Sequence, residues 1–203
     1  MRHMRHGSGF TLVELWVALV VTGIILAAVA TLAFAVGTAN DETDDTGRKQ
    51  AQVRSATLRI WELVRHCKLI CGTPGNDLAI WRADDNGDGQ LNINELVYVE
   101  RGADAEYLRL CEFPSSDSSQ VNLSEIEALS PSGYSVSYVP LIPQCSGVEF
   151  SFDVSPPRTT FLNILFDLAE NDIARRYQIS AVLQCPAFNL LNEAGDSIVS
   201  DDD

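Results

Sequence analysis

The sequence predicts an α+β fold: one long N-terminal helix, membrane-spanning in its first half, packed on an antiparallel β-sheet domain. Three observations carry that prediction. From Leu15 to Val36 run 22 residues without a charge, LWVALVVTGIILAAVATLAFAV. From Arg48 to Cys71 apolar residues recur at helical spacing. Beyond the breaker cluster Gly72-Thr73-Pro74-Gly75 the chain divides into short β-branched and aromatic segments separated by turn residues.

Length and charge bound what the chain can be. Its 203 residues suffice for one modest domain plus appendages. Against 14 basic side chains stand 28 acidic ones, a formal charge of −14. Nucleic-acid binding needs a basic face to displace counterions from phosphate, so this balance excludes it and favours cation sites instead. His66 is the one imidazole outside the first ten residues, which weakens any case for acid/base catalysis. No GxSxG or HExxH occurs, the carboxylates lack a catalytic pattern, and an enzyme is not expected. The five cysteines (Cys67, Cys71, Cys111, Cys145, Cys185) form no zinc motif. Buried thiols and one or two disulfides both remain open for them.

At about 1.5 Å per residue the uncharged run makes a helix of roughly 33 Å, enough to cross a bilayer core. The short basic stretch MRHMRHGSG precedes it and the acidic NDETDD follows. The positive-inside rule then places the N-terminus in the cytoplasm and the bulk of the chain outside, as a single-pass inner-membrane protein. A secretory signal peptide is the competing reading, but no small-x-small cleavage site stands out after the run. Glu14, at the start of the run, raises a question of its own. A carboxylate at the centre of a membrane helix costs about 2.5–3.5 kcal/mol, so it needs a partner, and nothing nearby in the run offers one.

Gly9-Phe10-Thr11-Leu12-Val13-Glu14, followed by the apolar helix, resembles the processing motif of type IV pilins and of the pseudopilins of type II secretion. The resemblance implies that a prepilin peptidase cuts between Gly9 and Phe10 and methylates Phe10. It implies partners too, namely other pilin or pseudopilin subunits. Glu14 of one subunit would then meet the Phe10 ammonium of another, a buried pair that sets register rather than adding stability. Loss of Arg2 and Arg5 with the leader leaves 12 basic against 28 acidic side chains, a side-chain charge of −16. Many pilins carry a mid-helix proline here. This chain has none, and Gly23 beside Thr22 is the one soft point.

The domain boundaries follow in order: a leader over 1–9, the membrane helix over 10–39, a linker and amphipathic helix over 40–75, a β-rich domain over 76–191 and an acidic tail over 192–203. NDETDDTG (40–47) reads as a break or loosened turn, although pilin-like proteins often continue the helix here. From 48 to 71, Val53, Ile60 and Cys67 share one stripe with Ala56, Leu63 and Ile70 and with Thr57, Val64 and Cys71. The opposite face carries Arg54, Arg59, Arg65 and Lys68, either a solvated face or one that meets an acidic neighbour. Strands are expected at Leu78–Ala83, Glu95–Glu100, Tyr107–Cys111, Ser135–Leu141, Val148–Val154, Thr160–Leu168 and Tyr177–Leu183, with a helical turn near Leu123–Leu129. Ala169-Glu170-Asn171-Asp172 is the turn before the last strand, and the tail is expected to be disordered.

Residues 84–95, DDNGDGQLNINE, match every fixed position of a calcium loop, D-x-[DN]-x-[DN]-G-x5-E. Calcium takes six to eight oxygens, and this spacing wraps them round one ion. Asp84, Asn86 and Asp88 would give side-chain oxygens, Gln90 its carbonyl, Asn92 a water-mediated contact, and Glu95 both carboxylate oxygens. Gly89 permits the turn and Leu91 anchors it. The flanks LAIWRA and LVYVE are rich in aromatic and β-branched residues, so the setting is strand–loop–strand rather than an EF-hand. Calcium sites also occur in some pseudopilins.

The leading reading is therefore a structural filament subunit. Its size, intact glutamate and long β-rich domain resemble the J-type minor pseudopilin. A minor type IV pilin for pilus initiation or adhesion, and a membrane-anchored calcium-binding module, are the alternatives.

Overall fold

The computed structural model describes residues 11–102, 104–171, 173–184, 186 and 188–199, without the side chains of 41 and 42. Among the described residues there are one α-helix and eight strands, and the chain divides into two compact units, residues 1–46 and 47–203.

In the first unit the described residues are helical from Leu12 onward, the start of α1 (Leu12–His66). An 18-residue window of this helix reaches a mean hydropathy of 2.6, so it is long and apolar enough to cross a membrane. Its threonines close their hydroxyls on the helix itself: Thr22 donates to the Ala18 carbonyl at 2.7 Å and Thr31 to Ala27 at 2.9 Å. Such back-bonding lets a hydroxyl sit in an apolar segment without an unpaired donor.

Residues 40–47 are helical, so the break expected there is absent. The segment contains no proline, and its polar side chains bond within the helix: Thr43 donates to the Ala39 carbonyl and Asn40 Nδ2 to Asp44. The helix also ends earlier than its stripe suggested. His66 closes it, and Leu69 to Cys71, expected as its end, belong instead to strand β1 (Leu69–Gly72). Ile70 pairs across with Ile80 and Leu69 with Trp81.

The second unit holds two antiparallel sheets. The first has five strands in the order β1-β2-β3-β4-β5, with β2 Leu78–Trp81, β3 Leu96–Glu100, β4 Leu108–Glu112 and β5 Ser137–Ile142. The second has three, β6 (Ser146–Phe152), β7 (Phe161–Glu170) and β8 (Ile173–Val182). β8 begins four residues before the expected Tyr177, because its outward, polar half pairs fully with β7 down to Ile173↔Glu170. Asn171, in the turn between them, sits at φ 49°, a left-handed conformation that Asn tolerates.

The second half of α1 packs on both sheets. Ala56, Ile60 and Val64 join Ile80, Val99, Leu110, Leu162, Phe166 and Ile179 in one core. The far face of the five-stranded sheet is buried too. There Trp81, Tyr98, Cys111 and Phe113 pack against Leu123 and Ile126 of a 3-10 turn (Leu123–Ala128), the helical turn the sequence suggested. Burial on both faces explains why β2 and β3 read as continuous apolar runs rather than alternating ones. The tail is folded as far as Ile198, which bridges to Leu191, while Asn192 Oδ1 accepts from the Gly195 and Asp196 amides at 2.7 and 3.0 Å.

Candidate functional site

The chemistry-bearing residues lie in two places, the start of α1 and the loop between β2 and β3. Gly9 and Phe10 fall outside the described residues. Glu14 is exposed in the first turn of α1. Its Oε2 accepts from the Thr11 amide at 2.9 Å and from the Thr11 hydroxyl at 2.9 Å, while the Glu14 amide donates back to Thr11 Oγ1 at 3.3 Å. This is a capping box, T-x-x-E, which satisfies amides that a helix start leaves open. Thr11, just ahead of the uncharged run, thus supplies hydrogen bonds to Glu14 that no residue inside the run offers. The signal was present in the sequence as Thr11-Leu12-Val13-Glu14 ahead of an apolar run.

The loop after Trp81 is built round Asp84. Its carboxylate accepts three successive backbone amides, from Gly87 at 2.7 Å, Asp88 at 3.2 Å and Gly89 at 3.2 Å. Gly87 and Gly89 take positive φ, 72° and 66°, which lets the backbone curl round that carboxylate. Asn86 Oδ1 accepts from the Asp88 amide at 2.9 Å, and Asn86 Nδ2 donates to Asp88 Oδ2 at 2.7 Å. Asp88 also accepts from the Gln90 amide at 2.7 Å and from Asn92 Nδ2 at 3.2 Å. The Gln90 amide leads the hydrogen bonds that hold the Asp88 carboxyl below the usual carboxylate range.

The second half of the loop is anchored. Leu91 and Ile93 are buried, and the Val121 amide donates to the Leu91 carbonyl at 2.9 Å. Glu95, 1% exposed, lies beneath the loop. Its Oε1 accepts from the Asp85 amide at 2.8 Å, and its Oε2 from Trp81 Nε1 at 3.1 Å and the Asn92 amide at 3.3 Å. The indole donor and the N-x-x-E box from Asn92 to Glu95 were not anticipated from sequence, although the box has a readable spacing.

Asp84, Asn86, Asp88 and Asn92 are thus brought together in one hydrogen-bonded cluster, linked through Asn92 to Glu95. The Gln90 side chain instead accepts from Gln120 Nε2 at 2.8 Å. An all-oxygen donor set of carboxylates, amide oxygens and one carbonyl suits calcium. In this geometry, however, the carboxylates are turned onto N–H donors, and among the described residues no group of three His, Cys, Asp or Glu side chains stands ready for a metal.

A separate polar cleft of about 300 Å³ is lined by Asp77, Glu100, Tyr107, Arg109 and Tyr138. Its charges close on each other. Arg109 Nε donates to Glu100 at 2.6 Å, and its guanidinium lies 3.8 Å from the Tyr138 ring centre and 4.6 Å from that of Tyr107. The four described cysteines, Cys67, Cys71, Cys111 and Cys145, are free, and the first three are buried. Cys185 lies outside the described residues.

Comparison with known proteins adds one finding. The family model described as the prokaryotic N-terminal methylation motif matches residues 4–30. No curated protein and no solved structure matches the chain. The chain therefore joins a prokaryotic N-terminal methylation motif to a pilin-like architecture, a long N-terminal helix packed on antiparallel sheets, which is consistent with the pilin and pseudopilin superfamily in general.

Proposed function

We propose that this chain is a structural, non-catalytic subunit of a type II secretion pseudopilus or related type IV pilus-like filament. It is cut by a prepilin peptidase after Gly9 and N-methylated at Phe10. The observation that carries the reading is the motif Gly9-Phe10-Thr11-Leu12-Val13-Glu14 running straight into a membrane-length helix, within the region matched by the methylation motif. Before assembly, Glu14 is capped by Thr11. In the filament the Phe10 ammonium of a neighbour offers a full opposite charge, and the exchange of partners gives register between subunits. The helix would anchor the chain in the inner membrane with its N-terminus cytoplasmic and its β domain outside.

The loop at 84–95 is proposed to hold calcium through Asp84, Asn86, Asp88, the Gln90 carbonyl, Asn92 and Glu95. Its motif, its all-oxygen donors and the curl of backbone round Asp84 support this. The bound ion would neutralise and cross-link carboxylates that otherwise repel one another. Glu95 would have to leave the Trp81 indole or share its oxygens with it.

Deletion of the gene, scored together for exported proteins in the medium and for surface pili, tests the assignment. Lost export with intact pili is the expected outcome. Lost pili with intact export would move the chain to the minor type IV pilins, and survival of both would favour an anchored calcium-binding module.

A further inference from the structure

The second half of α1 presents two unlike faces. Ala56, Ile60 and Val64 are buried in the core. The opposite face carries Ala51, Arg54, Leu58, Trp61 and Arg65, spaced by three or four residues along one side of the helix. Leu58 is 59% exposed and Trp61 40%. The Arg65 guanidinium lies 4.6 Å above the Trp61 ring, and its Nε is buried without a hydrogen-bond partner among the described residues. A single exposed leucine means little, but Trp and Arg together are the residue types that anchor interfaces.

Charge says what such a face would meet. Residues 47–68 hold six basic side chains and one acidic, net +5, whereas residues 69–203 hold six basic and 22 acidic, net −16. Two copies related by a twofold axis through this face would set arginine against arginine, which is repulsive. Basic helix face against acidic domain is attractive, and it is a heterologous contact that leaves a free face of each kind at either end. Contacts of that type, unless they close into a ring, build open filaments.

We propose that the Arg54–Leu58–Trp61–Arg65 face of α1 docks on the acidic β domain of a second copy of this chain. The proposal rests on the filament reading and adds which face meets which neighbour. The test places a photo-crosslinkable residue at position 58 (Leu58→p-benzoylphenylalanine) in the full-length chain, in cells that assemble the filament. After irradiation, sheared filaments are analysed by mass spectrometry. A crosslinked dimer of this chain, joined through peptides of residues 69–203, is expected. Its yield should fall about tenfold when Arg54→Glu is introduced. An unchanged melting temperature for that variant shows that folding is intact. Crosslinks only to other polypeptides, or a dimer insensitive to charge reversal, would overturn the docking inference while the chain remains a filament subunit. A chain missing from the sheared filaments altogether would overturn the filament reading beneath it as well.

Discussion

Glu14 and Glu95 occupy the same local geometry, three residues after a Thr or an Asn whose backbone amide each carboxylate accepts. Their surroundings differ: Glu14 is exposed at a helix start, whereas Glu95 is buried and also holds an indole. Asp153 is a carboxylate acceptor of a different kind, bonded by groups six to eight residues later in the chain. The Thr159 and Thr160 hydroxyls, both at 2.6 Å, and the Phe161 amide at 3.1 Å hold its carboxyl well below the usual range. Because the folded value is depressed, its contribution to stability is complete above the ordinary carboxylate pKa of about 4 and fades as pH falls below it. Asp153→Ala should therefore lower the melting temperature at pH 7, and the gap from the parent should narrow on thermal melts taken towards pH 2. The buried thiols give a second residue-level prediction. Burial pushes Cys67 and Cys111 up to about 12 and Cys71 up as well. Peptide mapping after iodoacetamide should find all three unmodified in the folded chain and modified after denaturation.

At the scale of elements, the two sides of α1 should respond oppositely to truncation. Ile60 is fully buried, so Ile60→Ala should cost about 2–5 kcal/mol in denaturant unfolding. Leu58→Ala, on the exposed side, should stay within about 0.5 kcal/mol. The calcium binding proposed for residues 84–95 can be tested in the same way. With calcium at about 100 times its Kd, linkage adds about 2.7 kcal/mol to stability, seen as a rise in melting temperature over a chelator control. Asp84→Ala should abolish that rise; an identical calcium response in the variant would remove the loop as its source. The element pattern was legible where periodicity was strong: β2, β3, β4 and the buried stripe of α1 lie within a few residues of their sequence positions. β1 was not, because Cys67 and Cys71 prolong the helical spacing past His66, and a four-residue strand buried on both faces has no alternation to reveal it. The tail looked disordered by composition, yet its described part is pinned where Ile198 bridges to Leu191, and residues 200–203 lie outside the described residues. In the loop, residue types and spacing were readable from sequence. The turn of Glu95 towards Trp81 was not, since it depends on packing between β2 and β3.

Across the whole molecule, a membrane-length apolar helix, a basic amphipathic segment and a strongly acidic β domain follow one another in a single chain. Each part suits a filament that is drawn from a membrane and held by unlike faces. The central claim is that the processed N-terminus carries the chain into that filament, with Glu14 as its assembly residue. The most direct test is the N-terminal peptide mass of the chain recovered from sheared filaments, measured for the parent and for Glu14→Ala. A parent chain beginning at N-methylated Phe10 is expected in the filament fraction, and a Glu14→Ala chain that is processed in the membrane but depleted from filaments. An uncut leader on the filament-borne chain, or normal incorporation of Glu14→Ala, would contradict the central claim.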